Sequence, residues 1–316
     1  PQTKANLSVD HVATQSSAID IASYERQLNN YYDAHHRHTS YERLPAIREA
    51  ILLLYQSLPF SYEKRTTQVL SRYHIMIASI MRDQCLFSEA VEHLNRAVHL
   101  TKHIDDYEFL ADAFYRRGWV YLEQEQGEKA VQSFLSAEKL IKKIPSYMAG
   151  GIFIGLGRSL AIEAHDSRTR LEALNTLDKA ANTLRICPPP GKNWHYLEID
   201  IDRYHVDKSS ALIDIAWPND ALRELSYLRY SSDIKRRNAL IYTLHARTYF
   251  SLSKYAEACN MAEEALPIVK AIQSVGNYQR IKELHSQLKL TNFGNNPEVA
   301  RLGVTINKIN IRDTAM

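Results

Sequence analysis

The feature that most constrains this 316-residue chain is a register of small side chains. Gly118 is followed twelve residues on by Ala130 and seven further on by Ala137. The same spacing recurs at Ala78, Ala90 and Ala97, at Ala161, Ala173 and Ala180, and at Ala246, Ala258 and Ala265, with a weaker copy at Ser209, Ala221 and Leu228. Five copies in one frame describe a unit repeated along the chain. In an α-helix, residues seven apart lie two turns apart on one face. The spacing therefore predicts two antiparallel helices joined by a short turn, packed close because the residues at the contact are small. Leu94, Phe134, Leu177 and Leu225 stand between the small residues of the second helix and fill the gap, with Ala262 there in the fifth copy. Each hairpin leaves an apolar face that only a neighbour can cover, so the hairpins should stack.

Composition agrees with an all-α chain. Only 10 Gly and 10 Pro interrupt a sequence rich in residues that lose little freedom in a helix. The 39 Lys+Arg against 36 Asp+Glu leave a net charge of +3, which suggests neither a strongly basic nucleic-acid surface nor an acidic tail. Cys85, Cys187 and Cys259 are odd in number and lack CxxC spacing, against a disulfide framework or structural zinc and in keeping with a reducing cytoplasm. The most apolar stretch, around MAGGIFIGL, falls short of the roughly 20 residues of a membrane span, and no secretory signal precedes it. The chain begins with Pro1 rather than Met, which suggests a processed chain or an excised fragment with a further domain outside it.

Residues 1–18 are polar and aperiodic and read as a flexible linker. Residues 19–290 form the expected repeat domain, starting with a degenerate repeat made of IASYERQLNNYYDAHHRH and YERLPAIREAILLLYQSLP. CPPPGKN at 187–193 is expected to break the array between the third and fourth hairpins, because three prolines cannot continue a helix. YQRIKELHSQLKL reads as a capping helix, and 291–316 as a short final helix and a fraying tail.

GWVYLEQEQGEKAVQSFLSA, LFSEAVEHLNRA and KYAEACNMAEEA resemble the tetratricopeptide repeat, with its order of small residue, aromatic, turn, Ala, aromatic and Ala. The resemblance covers about residues 70 to 270 and implies an α-solenoid of about five to six repeats with C-terminal capping helices. The chain departs from that family's usual 34-residue period. Its second-helix alanines at 90, 130, 173, 221 and 258 are 40, 43, 48 and 37 apart, which requires longer helices or longer connections.

Motifs for catalysis are weak. Gly155 and Gly157 after an apolar run, with Asp178 beyond, imitate a dinucleotide fingerprint, but the third glycine is missing and the stretch falls where a hairpin needs its first helix. His35 with His38, and His99 with His103, have helical metal-pair spacing but no carboxylate or cysteine placed to complete a site. There is no HExxH, GxSxG or Walker lysine loop. The sequence points to no enzyme, no cofactor and no metal.

The repeat frame instead predicts an inner wall. In stacked hairpins the first helices form the concave side, and positions six and three before the small residue, and one and four after it, should face inward. These positions bring together Arg72, Arg82, Tyr115, Trp119, Arg158, Arg203, Arg247 and Phe250, an arginine in four of five repeats with aromatics among them. Guanidinium forks bind carboxylates bidentately, so the lining suits an extended peptide with acidic groups or a free C-terminus. The alternative is that the arginines merely solvate the wall or pair with Asp83, Asp112 and Asp166.

The design, including the ending LKLTNFGNNPEVARLG, also resembles bacterial regulators that join a helix-turn-helix domain to a repeat array. That resemblance implies a sensor for a peptide or protein segment, with DNA contacted only by a missing N-terminal domain and a homodimer as a further partner. The competing expectation is a constitutive scaffold, or the regulatory arm of a signal-transduction ATPase.

Overall fold

The computed structural model describes residues 20–38, 40–58, 64–186, 199–230 and 235–311. The expected linker at 1–18, the break at 187–193 and the last residues of the tail lie outside them. Among the described residues the chain is an all-α, solenoid-like fold of fourteen α-helices with no strand. None of these helices is long and apolar enough to cross a membrane.

Helices α1 (Ile21–Arg37) and α2 (Leu44–Ser57) each lie along α3 (Lys64–Asp83), so the opening pair is not a close hairpin of its own. The first hairpin joins α3 to α4 (Phe87–His103), and the second joins α5 (Tyr107–Glu123) to α6 (Gly127–Glu138). The third is α7 (Ser146–Ile162) with α8 (Ser167–Ile186), and the fourth is α9 (Ile201–Asp214) with the short α10 (Pro218–Leu225). The fifth is α11 (Lys235–Ser251) with α12 (Tyr255–Ile272), followed by α13 (Val275–Lys289) and α14 (Pro297–Lys308). The long period has two sources. Helices such as α3 and α8 reach 20 residues, and a 3-10 turn at Ile141–Lys143 lengthens the connection from the second hairpin to the third.

The constant step of twelve has a local cause. In four hairpins the residue five before the second-helix alanine is left-handed: Cys85 (φ 58°), Glu125 (56°), Ala216 (63°) and Ser253 (58°). The next residue then donates its N–H back five positions, as Leu86 does to Met81 (2.8 Å), Gln126 to Tyr121 (2.9 Å), Trp217 to Leu212 (2.7 Å) and Lys254 to Tyr249 (2.8 Å). This is the Schellman closure of a helix, made here without glycine. The third hairpin keeps the step by other means. Asp166 accepts from the Thr169 N–H at 2.7 Å, and the Asp166 N–H donates to Thr169 Oγ1 at 3.3 Å.

The small residues are buried where the helices meet, and Phe134 shows why they must be small. A Cβ on Gly118 would stand 2.6 Å from its ring, and one on Gly155 would be closer still. Gly157 is crowded by Leu177 at 2.7 Å and Gly150 by Leu184 at 2.7 Å, so the glycine-rich stretch of α7 is a helix packing face. One apolar core runs from Leu28 to Ala221, and a second from Ala239 to Ile306. Among the described residues, Val206, Leu225, Ile241 and Leu244 form a third, smaller buried apolar cluster.

The first helices α3, α5, α7, α9, α11 and α13 pack side by side, and the array curls until its ends meet, α1 against α11 and α3 against α13. Arg236 at the start of α11 holds this closure. Its Nε donates to the His35 carbonyl at 2.6 Å, its Nη2 to the His38 carbonyl at 3.2 Å, and it pairs with Asp83. Ser274 Oγ donates to Asp83 at 2.7 Å and Gln84 Nε2 to the Gln273 carbonyl at 3.0 Å.

Candidate functional site

Curling encloses a central cavity of about 730 Å³, walled mainly by α5, α7, α9, α11 and α13. Trp119 forms part of the apolar lining, with Leu122, Ile162 and Leu240. It is held edge-on to Tyr115 (6.0 Å) and Phe134 (5.9 Å), and the Arg203 guanidinium lies 4.6 Å from its ring centroid.

The charged lining is an ordered set of pairs. Arg203 is bonded to Asp207 one turn on, and Arg280 to Glu123. Arg158 is bonded to Asp214, which also receives Arg247 at 3.4 Å. Burial opposes charge on Arg203, but Asp207 and Tyr115 beside it hold its pKa above the usual arginine range. Burial alone would likewise raise the Glu123 carboxyl, and Arg280 and Arg82 bring it below its ordinary value. Arg82 is lowered by burial, with Glu123 acting against the shift and Arg203 and Arg116 adding to it. The cavity can therefore hold a polar ligand by exchanging charge-assisted hydrogen bonds.

Of the residues expected on the inner wall, Trp119, Arg158, Arg203 and Arg247 meet in this cavity. Arg82 is not part of the lining but lies within electrostatic reach of Glu123. Tyr115 is packed beneath, 5% exposed. Arg72 instead lines an outer cleft of about 810 Å³ by Glu25 and Phe109, where its Nη2 donates to Asn29 Oδ1 at 3.1 Å. Phe250 packs on Tyr255 (5.7 Å) within the C-terminal core. The carboxylates expected to neutralise the arginines are also placed differently. Asp112 pairs with Arg116 and Asp83 with Arg236, while Asp166 caps α8. The carboxylates that do neutralise the wall are Glu123, Asp207 and Asp214. Sequence spacing missed these and Arg280 because the pairs join helices 56 and 157 residues apart, and α13 carries no copy of the small-residue frame. Asp207 alone had a signal, its i,i+4 spacing from Arg203.

The other candidate motifs do not join this site. His35 Nδ1 lies 2.7 Å from Ser40 Oγ, and His103 donates from Nδ1 to the His99 carbonyl at 2.8 Å. Among the described residues no group of three or more His, Cys, Asp or Glu is placed to hold a metal ion. Cys85 lines the cavity, and burial pushes its thiol up to about 11, against nucleophilic use. Neither a protein-family model nor a curated protein matches this sequence.

Proposed function

We propose that the chain is a tetratricopeptide-type, non-enzymatic binding array, the sensory part of a bacterial transcriptional regulator, and that it holds a short peptide or protein segment in its central cavity. The observation that carries this reading is the convergence of five stacked helices on one space of about 730 Å³ with an aromatic platform at Trp119 and three sets of exchangeable ion pairs. That volume falls in the range of roughly 300–1,000 Å³ typical of ligand pockets. The resemblance to helix-turn-helix repeat regulators supplies the rest. DNA would be touched by a separate domain, and the ligand would act by favouring one curvature or one dimer arrangement of the array.

Peptide-library capture tests the reading. Wild-type protein should enrich peptides that Arg158→Glu and Arg203→Glu lose, with helical content and melting temperature checked alongside. Unchanged capture by folded charge-reversal variants would remove the cavity from consideration and leave the scaffold reading.

A further inference from the structure

Charge around the central cavity is balanced in some places and unbalanced in others. Arg203 with Asp207 and Arg280 with Glu123 are neutral pairs. Arg158 and Arg247 both pair with Asp214, and the other carboxylate acting on Arg158, Glu123, is already bonded to Arg280, so the two guanidinium groups have one ion-paired carboxylate between them. Two guanidinium groups also present more N–H donors than one carboxylate can accept. Arg158 Nε is buried without a hydrogen-bond partner among the described residues. Glu125 and Glu283 line the same cavity with the opposite excess. Both are exposed, and neither makes an ion pair among the described residues.

Buried donors without partners are costly, and a fold that keeps them commonly satisfies them with a ligand or water. Resting on the peptide reading above, we infer that the occupant is a short zwitterionic peptide. Its carboxylate docks on Arg158 and Arg247 in competition with Asp214, and its amino group faces Glu125 and Glu283. A carboxylate arriving at the shared pair makes that cluster neutral and supplies acceptors for guanidinium donors that Asp214 leaves free. The carboxylate can be the C-terminus or an Asp or Glu side chain, which the test separates.

The full chain is offered three synthetic hexapeptide pools: one with free termini and no Asp or Glu, its C-amidated twin, and a C-amidated pool containing Asp and Glu. Capture of the free-acid pool at about tenfold or more above its amidated twin assigns the C-terminus, the scale expected for a charge-assisted pair. Recovery in the amidated acidic pool alone assigns a side chain. Equal capture of all three overturns the inference and leaves the peptide reading standing, whereas capture of none overturns both. Two variants add an independent check. Arg247→Gln should lower capture of the carboxylate-bearing pool, and Asp214→Asn, by removing the internal competitor, should raise it severalfold. Parallel losses in both variants, with melting temperatures unchanged, would show that the cluster acts through shape and overturn the assignment.

Discussion

The second and fourth hairpins occupy equivalent places in the array and are stabilised by different physics. In the second, Phe134 is fully buried between Gly118 and Gly155, with Tyr115 and Trp119 edge-on to it. The fourth has an eight-residue second helix, a partly buried Leu228 at its third small position, and a polar interior. There Glu224, 7% exposed, accepts from His205 Nδ1 at 2.7 Å and pairs with Lys208 at 3.2 Å. Lys208 Nζ also donates to the Tyr204 hydroxyl at 2.9 Å. Asp207, 3% exposed, is held by Arg203. The apolar core divides just beyond this hairpin. The difference teaches that close packing sets the hairpin frame, while the fourth hairpin, which supplies Arg203, Asp207 and Asp214 to the cavity, gives up apolar packing for ion pairs.

This contrast can be broken from either side. The largest effect is expected from Phe134→Ala, which empties the contact among three helices and should cost about 3–5 kcal/mol in denaturant unfolding, with little dependence on salt. Glu224→Gln should cost roughly 2 kcal/mol by weakening the contacts to His205 and Lys208. Its penalty should shrink in high salt, and a salt-independent loss would mean that the fourth hairpin is held by shape after all.

A further test uses a polar cluster built around two buried histidines, where Glu92 only partly opposes the lowering of His93. In the first hairpin His74 Nδ1 lies 2.7 Å from His93 Nδ1, and the Tyr55 hydroxyl lies 3.0 Å from His74 Nε2. Burial, then the neighbouring His93 and Arg96, pushes His74 down to about 3. Burial and Arg96 push His93 down to about 4. Both fold as neutral rings, so their stabilisation is complete above the unfolded-state value near 6.5. It is lost as pH falls toward 4, because the unfolded chain binds protons that the fold excludes. Each contributes a slope of at most about 1.4 kcal/mol per pH unit in that window. His74→Gln should flatten the pH dependence of the melting temperature between pH 6 and 4, and an unchanged slope would assign the acid sensitivity elsewhere.

The smallest effect concerns the shared turn. Ala216→Gly relieves a left-handed residue bearing a Cβ and should raise stability by about 0.5 kcal/mol, the balance of strain relieved against chain entropy lost. No change would show that the surrounding hydrogen bonds absorb the strain.

The hairpin frame was legible because a side chain at Gly118 would overlap Phe134, a constraint that leaves a residue-type signature at fixed spacing. The turn was only half legible. Its length could be read, but its left-handed residues are Cys, Glu, Ala and Ser rather than the glycine that would have announced them. Of the inward positions, Trp119, Arg158, Arg203 and Arg247 line the cavity, and they lie one residue after the small residue that sets the frame or three or six before it. Phe250, in the last turn of α11, packs on Tyr255 of α12 instead. Arg72 turns outward to Asn29 of α1, whose place beside α3 the hairpin frame does not encode. The pairing of Arg280 with Glu123 depends on how far the whole array curls, and no local spacing encodes that.

That curl bears on how the molecule folds. An open stack of hairpins coupled only to neighbours frays from its ends, and its unfolding can proceed one unit at a time. Here Arg236 joins segments 201 residues apart, so neither end is free to peel away without breaking contacts to the other. The array should consequently melt in denaturant as a single cooperative transition. Arg236→Ala should reduce the denaturant sensitivity of that transition and expose the amides of α1 and α13 to early hydrogen exchange, turning a ring back into a line.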